Sequence, residues 1–195
     1  MHGLINRSIQ CFLRDTYGEA AWSDVALAVD LPFAEFEAML AYDDALTWQV
    51  LDAACLRLDK PLNMVLEDIG TYLVSHPNNE GLRRLLRFAG VCYEDFLHSL
   101  DDLPDRTRLA VSDLDLPVVE LRQHSAERFS VTCHSRLPGF GHVLVGVLRA
   151  MADDYGALVL LDYAGMVQGI EKIEISLVET AFAEGRSFDL GARAG

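Results

Sequence analysis

Histidine and cysteine are the residue types in this sequence whose side chains could bind a metal ion or act as nucleophiles. The six histidines are not joined by an HExxH motif or by any other tight metal-binding spacing. Cys133 and His134 are neighbours, and such a pair could ligate a metal or activate a thiolate. Successive residues of a strand point to opposite faces, so only one of the two is expected to point inward. The spacing therefore favours a structural role for this pair over a functional one.

Other motifs that carry chemistry are incomplete in this sequence. The Gly-x-Gly at residues 139–141 lacks the third glycine of a dinucleotide site and the lysine of a P-loop, so it predicts only a turn into a helix. None of the four cysteines lies in a CxxC pair, so structural zinc is not predicted. Carboxylate pairs at residues 101–102 and 153–154 are typical of helix caps and solvated faces. The chain is not predicted to be an enzyme.

The composition is that of a globular protein with an acidic surface. Hydrophobic residues make up 51% of the 195 residues and charged residues 24%, which excludes a mostly disordered chain. The 16 basic and 30 acidic residues give a charge of −14, which disfavours binding to nucleic acid and to anionic membranes. No apolar run approaches the roughly 18 residues of a membrane helix, and the N-terminus does not resemble a secretion signal. The cytoplasm is the expected compartment.

Helical periodicity fills the first hundred residues, and strand-like alternation appears later. Helices are predicted over residues 6–17, 22–29, 44–58, 61–73, 81–89, 93–100 and 139–154. Strands are predicted over residues 116–121, 129–133, 157–163 and 170–178, with a turn at 166–169. This order favours an α+β fold, in which a helical N-terminal subdomain precedes a C-terminal antiparallel sheet with helices.

The helical and mixed parts are predicted to form a single domain over residues 1–183. The helical part extends to about residue 104 and the mixed α/β part begins at about residue 105. No linker of distinct composition separates them, as a domain boundary would require. Residues 184–195 are predicted to form a flexible tail, because terminal segments of this composition commonly fray.

Several short motifs occur in a fixed order along the chain. They are Met1-His2-Gly3-Leu4-Ile5, Leu13-Arg14-Asp15, Glu67-Asp68-Ile69-Gly70, residues 81–90, residues 96–103, and the corner from Ser135 through Pro138-Gly139 to Gly146. This series resembles that of the haem-nitric oxide/oxygen binding family, H-NOX, over about residues 1–180. Within residues 81–90, Leu82-Arg83 replaces the Tyr-Asp of the family's Gly-Tyr-Asp-x-x-Leu-Arg-x-x-Gly pattern.

The resemblance implies that a helical part and an α+β part enclose one haem b. It also implies a regulatory sensor of nitric oxide or another diatomic gas, which signals to a partner such as a histidine kinase or a diguanylate cyclase. The sequence carries neither kind of catalytic domain, so a stand-alone sensor whose output comes from another chain is expected. Neither nucleic acid nor a membrane is an expected partner.

The residues that would hold the haem depart from the family's pattern. The position of the proximal histidine, which follows a Leu-Asp-x-Leu segment in the family, is Pro104 here. Proline offers no lone pair to iron and tends to end a helix, so a helix that ends near Leu103 is expected. In the family's propionate-binding Tyr-x-Ser-x-Arg motif, only Ser135 is kept, while Cys133 replaces the tyrosine and Leu137 replaces the arginine. The family's haem ligation is therefore expected to be lost or altered.

Other pocket positions match the family. Pro117 corresponds to the proline that packs on the haem and distorts it. Ile5, Ile9 and Leu73 correspond to apolar positions of the distal wall, and His76 is expected close to that wall.

Three interpretations of the function are open at this point. The chain is a haem sensor with a non-standard ligand, a haem-free descendant that senses a hydrophobic ligand or a protein, or an enzyme. The candidate non-standard ligands are His76, His98, His134 and Cys133. The sequence offers no residues for the enzyme, and the departures at the ligating positions favour the haem-free descendant.

Overall fold

Helices make up the N-terminal half of the computed structural model, which describes residues 1–88, 90–111, 114, 116–135 and 138–188. They are α1 (Gly3–Tyr17), α2 (Glu19–Ala28), α3 (Asp44–Leu58), α4 (Leu62–Ser75), α5 (Glu80–Arg87), α6 (Tyr93–His98) and α7 (Leu103–Ala110). Short 3₁₀ helices at Pro77–Asn79 and Leu100–Asp102 link α4 to α5 and α6 to α7. The last residue of the helix predicted over 81–89 lies outside the described residues.

The ends of the first helices follow from local chemistry. The Nδ1 atom of His2 accepts a hydrogen bond from the backbone N–H of Leu4 at 3.1 Å and opens α1. Gly18 closes α1 with a φ of 90°, a conformation that favours glycine. The carboxylate of Asp43 accepts from the N–H of Ala45 at 2.9 Å and opens α3. The cap at Asp43 agrees with the predicted start of α3, whereas the cap at His2 starts α1 three residues before its predicted start at residue 6.

The C-terminal half contains one antiparallel sheet and a helix that packs on it. The strands are β1 (Val118–Gln123), β2 (Arg128–His134), β3 (Leu158–Val167) and β4 (Ile170–Glu179), in the spatial order β1-β2-β4-β3. Helix α8 (Phe140–Tyr155) connects β2 to β3. The β3–β4 hairpin turns at Gln168 and Gly169, with φ angles of 53° and 80°, as a type I′ turn requires. The predicted α+β class, with an antiparallel sheet, is confirmed.

The buried side chains form two clusters. The N-terminal cluster is built on α1 to α4 and contains Ile9, Phe12, Leu13, Trp22, Val25, Phe36, Val50, Leu51, Ala54, Val65, Leu66, Ile69 and Tyr72. The sheet cluster lies between α8 and the inner face of the sheet and includes Val119, Phe129, Val131, Leu148, Met151, Ile173, Ile175 and Leu177. Alternate residues of β4 contribute to the sheet cluster, as period-two patterning predicts.

Helices α4 and α8 join the two clusters by crossing at close range. A methyl group added to Gly70 on α4 would collide with the backbone carbonyl of Val143 on α8. A methyl group added to Gly146 on α8 would collide in the same way with the backbone carbonyl of Glu67 on α4. The two glycines therefore let the helix backbones approach more closely than any other residue type would allow.

Pro104 does not end the helical part of the chain. It is the second residue of α7, which begins at Leu103. The N–H groups in the first turn of a helix have no partner within the helix, so the missing N–H of proline is tolerated there. The predicted helix end near Leu103 is therefore wrong, because the proline starts a helix at that point.

Two further features concern the chain as a whole. No helix among the described residues is both long enough and apolar enough to cross a membrane. The single domain over residues 1–183 and the flexible tail over 184–195 stay predictions. Of that tail, residues 189–195 lie outside the described part of the chain.

Candidate functional site

The predicted distal-wall residues lie in the N-terminal cluster or against it. Ile9 is buried within this cluster, and Ile5 and Leu73 are partly buried and pack against it. Ile5 and Ile9 are four residues apart on α1, so they share one face of that helix. The structure therefore brings these three residues into one apolar region between α1 and α4.

Pro104 is buried in the first turn of α7. Two side chains fix this turn from the next positions. Arg106 donates through Nη2 to the carbonyl of Ser99 at 2.6 Å, and the hydroxyl of Thr107 donates to the carbonyl of Leu103 at 2.8 Å. The structure therefore places at position 104 an apolar ring with no lone pair for a metal, and its correspondence to the family's imidazole stays a prediction.

Cys133 and His134 lie on opposite faces of β2. The side chain of Cys133 is fully buried, whereas that of His134 is 40% exposed and lies 3.9 Å from the carboxylate of Glu120. This is the alternation expected of neighbouring strand residues. The two side chains therefore cannot act together as a Cys-His pair.

Pro117 and Ser135 flank the strands at the same corner of the sheet. Pro117 immediately precedes β1 and Ser135 immediately follows β2, and both are partly buried. Val118 lies opposite His134 across the two strands, so Pro117 and Ser135, the next residue beyond each, are close together. Leu137, which replaces the family's arginine, lies outside the described residues.

The thiol of Cys133 is held in its neutral form. Cys133 lies opposite Val119 on β1 and opposite Glu171 on β4. Burial, with the negative charge of Glu171 as a second cause, raises the pKa of the Cys133 thiol to about 12. The thiolate is the form that attacks electrophiles, so Cys133 is a poor nucleophile in the folded protein.

We expect Cys133 to be the slowest of the four cysteines to react with iodoacetamide in the folded protein at pH 8. Its thiol is buried and its pKa is about 12, whereas the other three cysteines are partly exposed. Timed alkylation followed by peptide mass spectrometry would measure the four rates. In the control, protein unfolded in urea, Cys133 should react as fast as the others, and fast reaction in the folded protein would contradict its burial.

Glu171 places a buried carboxylate at the start of α8. It is 1% exposed and accepts hydrogen bonds from the N–H groups of Gly139 at 3.1 Å and Gly141 at 3.0 Å, and from the hydroxyl of Tyr163 at 2.8 Å. These three donors, two of them at a helix N-terminus, compensate the burial of the charge. The sequence did not single out Glu171, although a signal exists: it occupies an inward position of the same alternation as Ile173.

A groove of about 370 Å³ opens beside Glu171, between α4, α8 and β3. Trp48 and Leu66 contribute to its apolar lining. The ring of His142 stacks on that of Tyr163 in the same groove, with centroids 4.0 Å apart and an interplanar angle of 29°. The groove has the size of a small-ligand site and a mostly apolar surface.

His76 belongs to a separate polar cluster at the ends of α1 and α4. Its Nδ1 atom accepts from the N–H of Asn78 at 3.3 Å and lies 3.8 Å from the carboxylate of Asp15. That carboxylate also accepts from the hydroxyl of Tyr72 at 2.7 Å. Burial would raise the pKa of Asp15, but the hydrogen bonds from Tyr72 and Asn78 outweigh it, so the pKa of Asp15 is lowered. His76 thus has a structural role at a helix end.

The candidate non-standard ligands are dispersed over the structure. His76 lies at the junction of α1 and α4, His98 is 48% exposed beside Glu94, and His134 lies on the outer face of the sheet. Among the described residues, no group of three or more His, Cys, Asp or Glu side chains could hold a metal ion together. The structure therefore does not gather these side chains into one ligand set.

Solved structures of H-NOX proteins share this arrangement of helices, sheet and crossing helix. A Cs H-NOX mutant superposes with a TM-score of 0.77 at 15% identity and covers 94% of this chain and 100% of its own. A mutant of the T. tengcongensis H-NOX protein superposes with a TM-score of 0.76 at 16% identity and covers 93% of this chain and 100% of its own. The architecture described above is therefore the H-NOX fold.

Sequence comparison then gives the family. The family model described as Haem-NO-binding matches residues 2–161, and the chain belongs to that family. The chain is similar to soluble guanylate cyclase gcy-31 of Caenorhabditis elegans, at 23% identity over 79% of this chain and 22% of that protein. It is also similar to soluble guanylate cyclase 89Db of Drosophila melanogaster, at 22% identity over 84% of this chain and 24% of that protein. The chain thus spans less than a quarter of the length of these relatives.

Proposed function

We propose that this chain is a regulatory sensor that uses the H-NOX fold without the family's haem ligation. Membership of the haem-NO-binding family supports the sensory role. The observation that carries the second half of the proposal is the buried Pro104 in the first turn of α7. A ring without a lone pair at this position removes the axial ligand through which such a sensor would hold iron.

The residues at the propionate-binding corner do not fit a haem held in the family's manner. Cys133 is fully buried, so protein atoms surround it and leave no space beside it for a carboxylate. Glu171, on the neighbouring strand, already places one negative charge there. A second carboxylate brought to this corner would meet a like charge in a poorly solvated place, which is unfavourable. This observation supports a member whose interior is filled by its own side chains.

The signal that replaces the gas is, in this proposal, a hydrophobic ligand or a protein. The mostly apolar groove lined by Trp48, Leu66 and Tyr163 supports a hydrophobic ligand. The chain would then pass its state to a partner protein or domain, such as a histidine kinase or a diguanylate cyclase. The names of the soluble guanylate cyclase relatives support a link to nucleotide-cyclase signalling. The chain itself would have no catalytic role, and the cytoplasm remains the predicted compartment.

We expect the protein, expressed with a haem precursor and iron in excess, to be purified with far less than one haem per chain. The proline at position 104 cannot ligate the iron, and Cys133 and Leu137 do not supply the hydroxyl and guanidinium of the family's propionate-binding motif. Soret absorbance and a pyridine haemochrome assay would measure the haem content, before and after titration with added haem. A variant in which His76, His98 and His134 are all alanine is the matched control and should give the same result.

A stoichiometric Soret band with a five-coordinate ferrous spectrum would overturn this proposal. It would favour the alternative, a haem-based gas sensor with a non-standard axial ligand. Separate alanine substitutions at His76, His98, His134 and Cys133 would then identify that ligand by the loss of the band.

A further inference from the structure

We propose that residues 183–188 form a releasable strap, which docks on the ends of α5 and α8 and links the chain beyond β4 to α4. We call these residues the C-terminal strap. Its docking depends on a buried carboxylate, Asp154, and on the arginines around it. The proposal concerns a conformational change at the end of the fold, and it does not depend on whether the chain binds haem.

Backbone contacts hold the strap along the end of α8. The N–H of Ala183 donates to the carbonyl of Gly156 at 3.0 Å, and the N–H of Arg186 donates to the carbonyl of Asp154 at 3.0 Å. Between them, Gly185 lies so close to α8 that an added methyl carbon would be 2.7 Å from the carbonyl oxygen of Asp154. This close approach means that the strap can pack against the end of α8 only with glycine at position 185.

Asp154 is the centre of the docking site. Its side chain is fully buried, and Oδ1 accepts from Nε of Arg83 at 2.8 Å. The Nε atom of Arg87 lies 3.5 Å from Oδ2, and Nε of Arg186 on the strap lies 3.8 Å from Oδ1. Arg83 also donates through Nη2 to the carbonyl of Ser187 at 3.0 Å. Two arginines of α5 and one of the strap therefore share a single buried carboxylate.

Three more contacts extend the docking to neighbouring elements. The ring of Phe188 lies under the guanidinium groups of Arg83 and Arg87, at 5.9 Å and 5.1 Å from its centroid, as in cation–π pairs. Arg186 donates to the carbonyl of Ser75, the last residue of α4, at 3.4 Å. The strap thus links the chain beyond β4 to the same helix that crosses α8 at Gly70.

Release of the strap does not require a large free energy. When the strap lifts, Asp154 keeps Arg83 and Arg87 as partners, so no buried charge is left unpaired. An unpaired buried charge would be strongly destabilising. Arg186 is already 49% exposed and can return to water. Release therefore breaks a few hydrogen bonds and ring contacts, as expected of a segment that opens locally rather than with the whole fold.

The strap can be tested by hydrogen exchange with the variant Gly185→Ala. We expect the amides of Ala183 and Arg186 to exchange about tenfold faster or more in this variant, because the added methyl group wedges the strap from α8. The amide of Leu148, in the middle of α8, should keep its wild-type rate. Residue-resolved NMR exchange would measure all three, and trypsin cleavage after Arg186 should accelerate in parallel.

Glu184→Ala, at an exposed neighbouring position, is the matched control and should leave the exchange rates unchanged. A second variant, Arg186→Gln, removes the positive charge that the strap places beside Asp154 but keeps the pair of Asp154 and Arg83. Its strap amides should exchange faster than those of the wild type but more slowly than those of Gly185→Ala. Their exchange should also depend less on salt than it does in the wild type. Two results would overturn the proposal: unchanged strap exchange in Gly185→Ala, or wild-type strap amides that exchange only as slowly as Leu148, which would mean that the strap opens only when the whole domain unfolds.

Discussion

The variant Pro104→His is expected to bind haem only weakly, whereas the triple variant Pro104→His, Cys133→Tyr, Leu137→Arg is expected to bind it at least about 100-fold more tightly. The single change supplies an imidazole but leaves the propionates without the tyrosine and the arginine of the motif. Burying a carboxylate without its partner costs about 3–5 kcal/mol, which corresponds to that difference in affinity. The triple change restores the hydroxyl and the guanidinium that the family's motif provides.

Haem titration followed by Soret absorbance would give the dissociation constant of each variant. Pro104→Ala is the matched control, because it removes the proline without adding a ligand, and it should bind no more haem than the wild type. Tight binding by Pro104→His alone would show that the propionate partners are dispensable. Equally negligible binding by the single and triple variants would show that the region around Cys133 does not open for a haem.

Replacing either glycine of the α4–α8 crossing with alanine is expected to destabilise the protein markedly. In Gly70→Ala and in Gly146→Ala, the added methyl group collides with a backbone carbonyl of the other helix, which cannot rotate away as a side chain would. The helices must separate, at a cost of about 1–3 kcal/mol for each variant. For a chain of this size, that corresponds to a fall in Tm of roughly 2–12 °C. Differential scanning calorimetry or circular dichroism would measure it.

The double variant gives a further test of the crossing. Once the first methyl group has separated α4 from α8, the second should cost less. The double variant should therefore lose less stability than the sum of the losses in the two single variants. Gly81→Ala is the matched control, because it lies in α5 with no atom within 4 Å of the added methyl group. It should leave the Tm unchanged or raise it slightly, since alanine favours a helix over glycine. An unchanged Tm in Gly70→Ala would contradict the close approach of the two helices.

The helices and strands could be predicted from the sequence because the signals that define them are local. The cap at Asp43, the glycine at position 18 and the alternation along β4 all act within a few residues. Helix α7 was missed for the same reason. A proline in the sequence predicts the end of a helix. Only the packing of the chain around Leu103 decides that a helix begins there.

The candidate site could be predicted only in part. The resemblance to the family's motif predicted that Pro104 and Cys133 depart from it, because each motif position can be read from a single residue. The motif did not indicate which side chains surround these two residues in the folded protein. That Cys133 faces Glu171 depends on the register between β2 and β4, which a one-residue shift would reverse.

The sequence by itself determined the α+β class, the order of the elements and the net negative charge. Each of these depends on residue type or on short-range periodicity. Only the tertiary structure decided which buried charges meet. Glu171 and Gly139 are 32 residues apart, and Arg83 and Asp154 are 71 residues apart. Many carboxylates of this chain could have filled either place, and the choice depends on how helices and strands distant in sequence pack together. Burial makes that choice matter, because a carboxylate removed from water needs donors held within hydrogen-bonding distance.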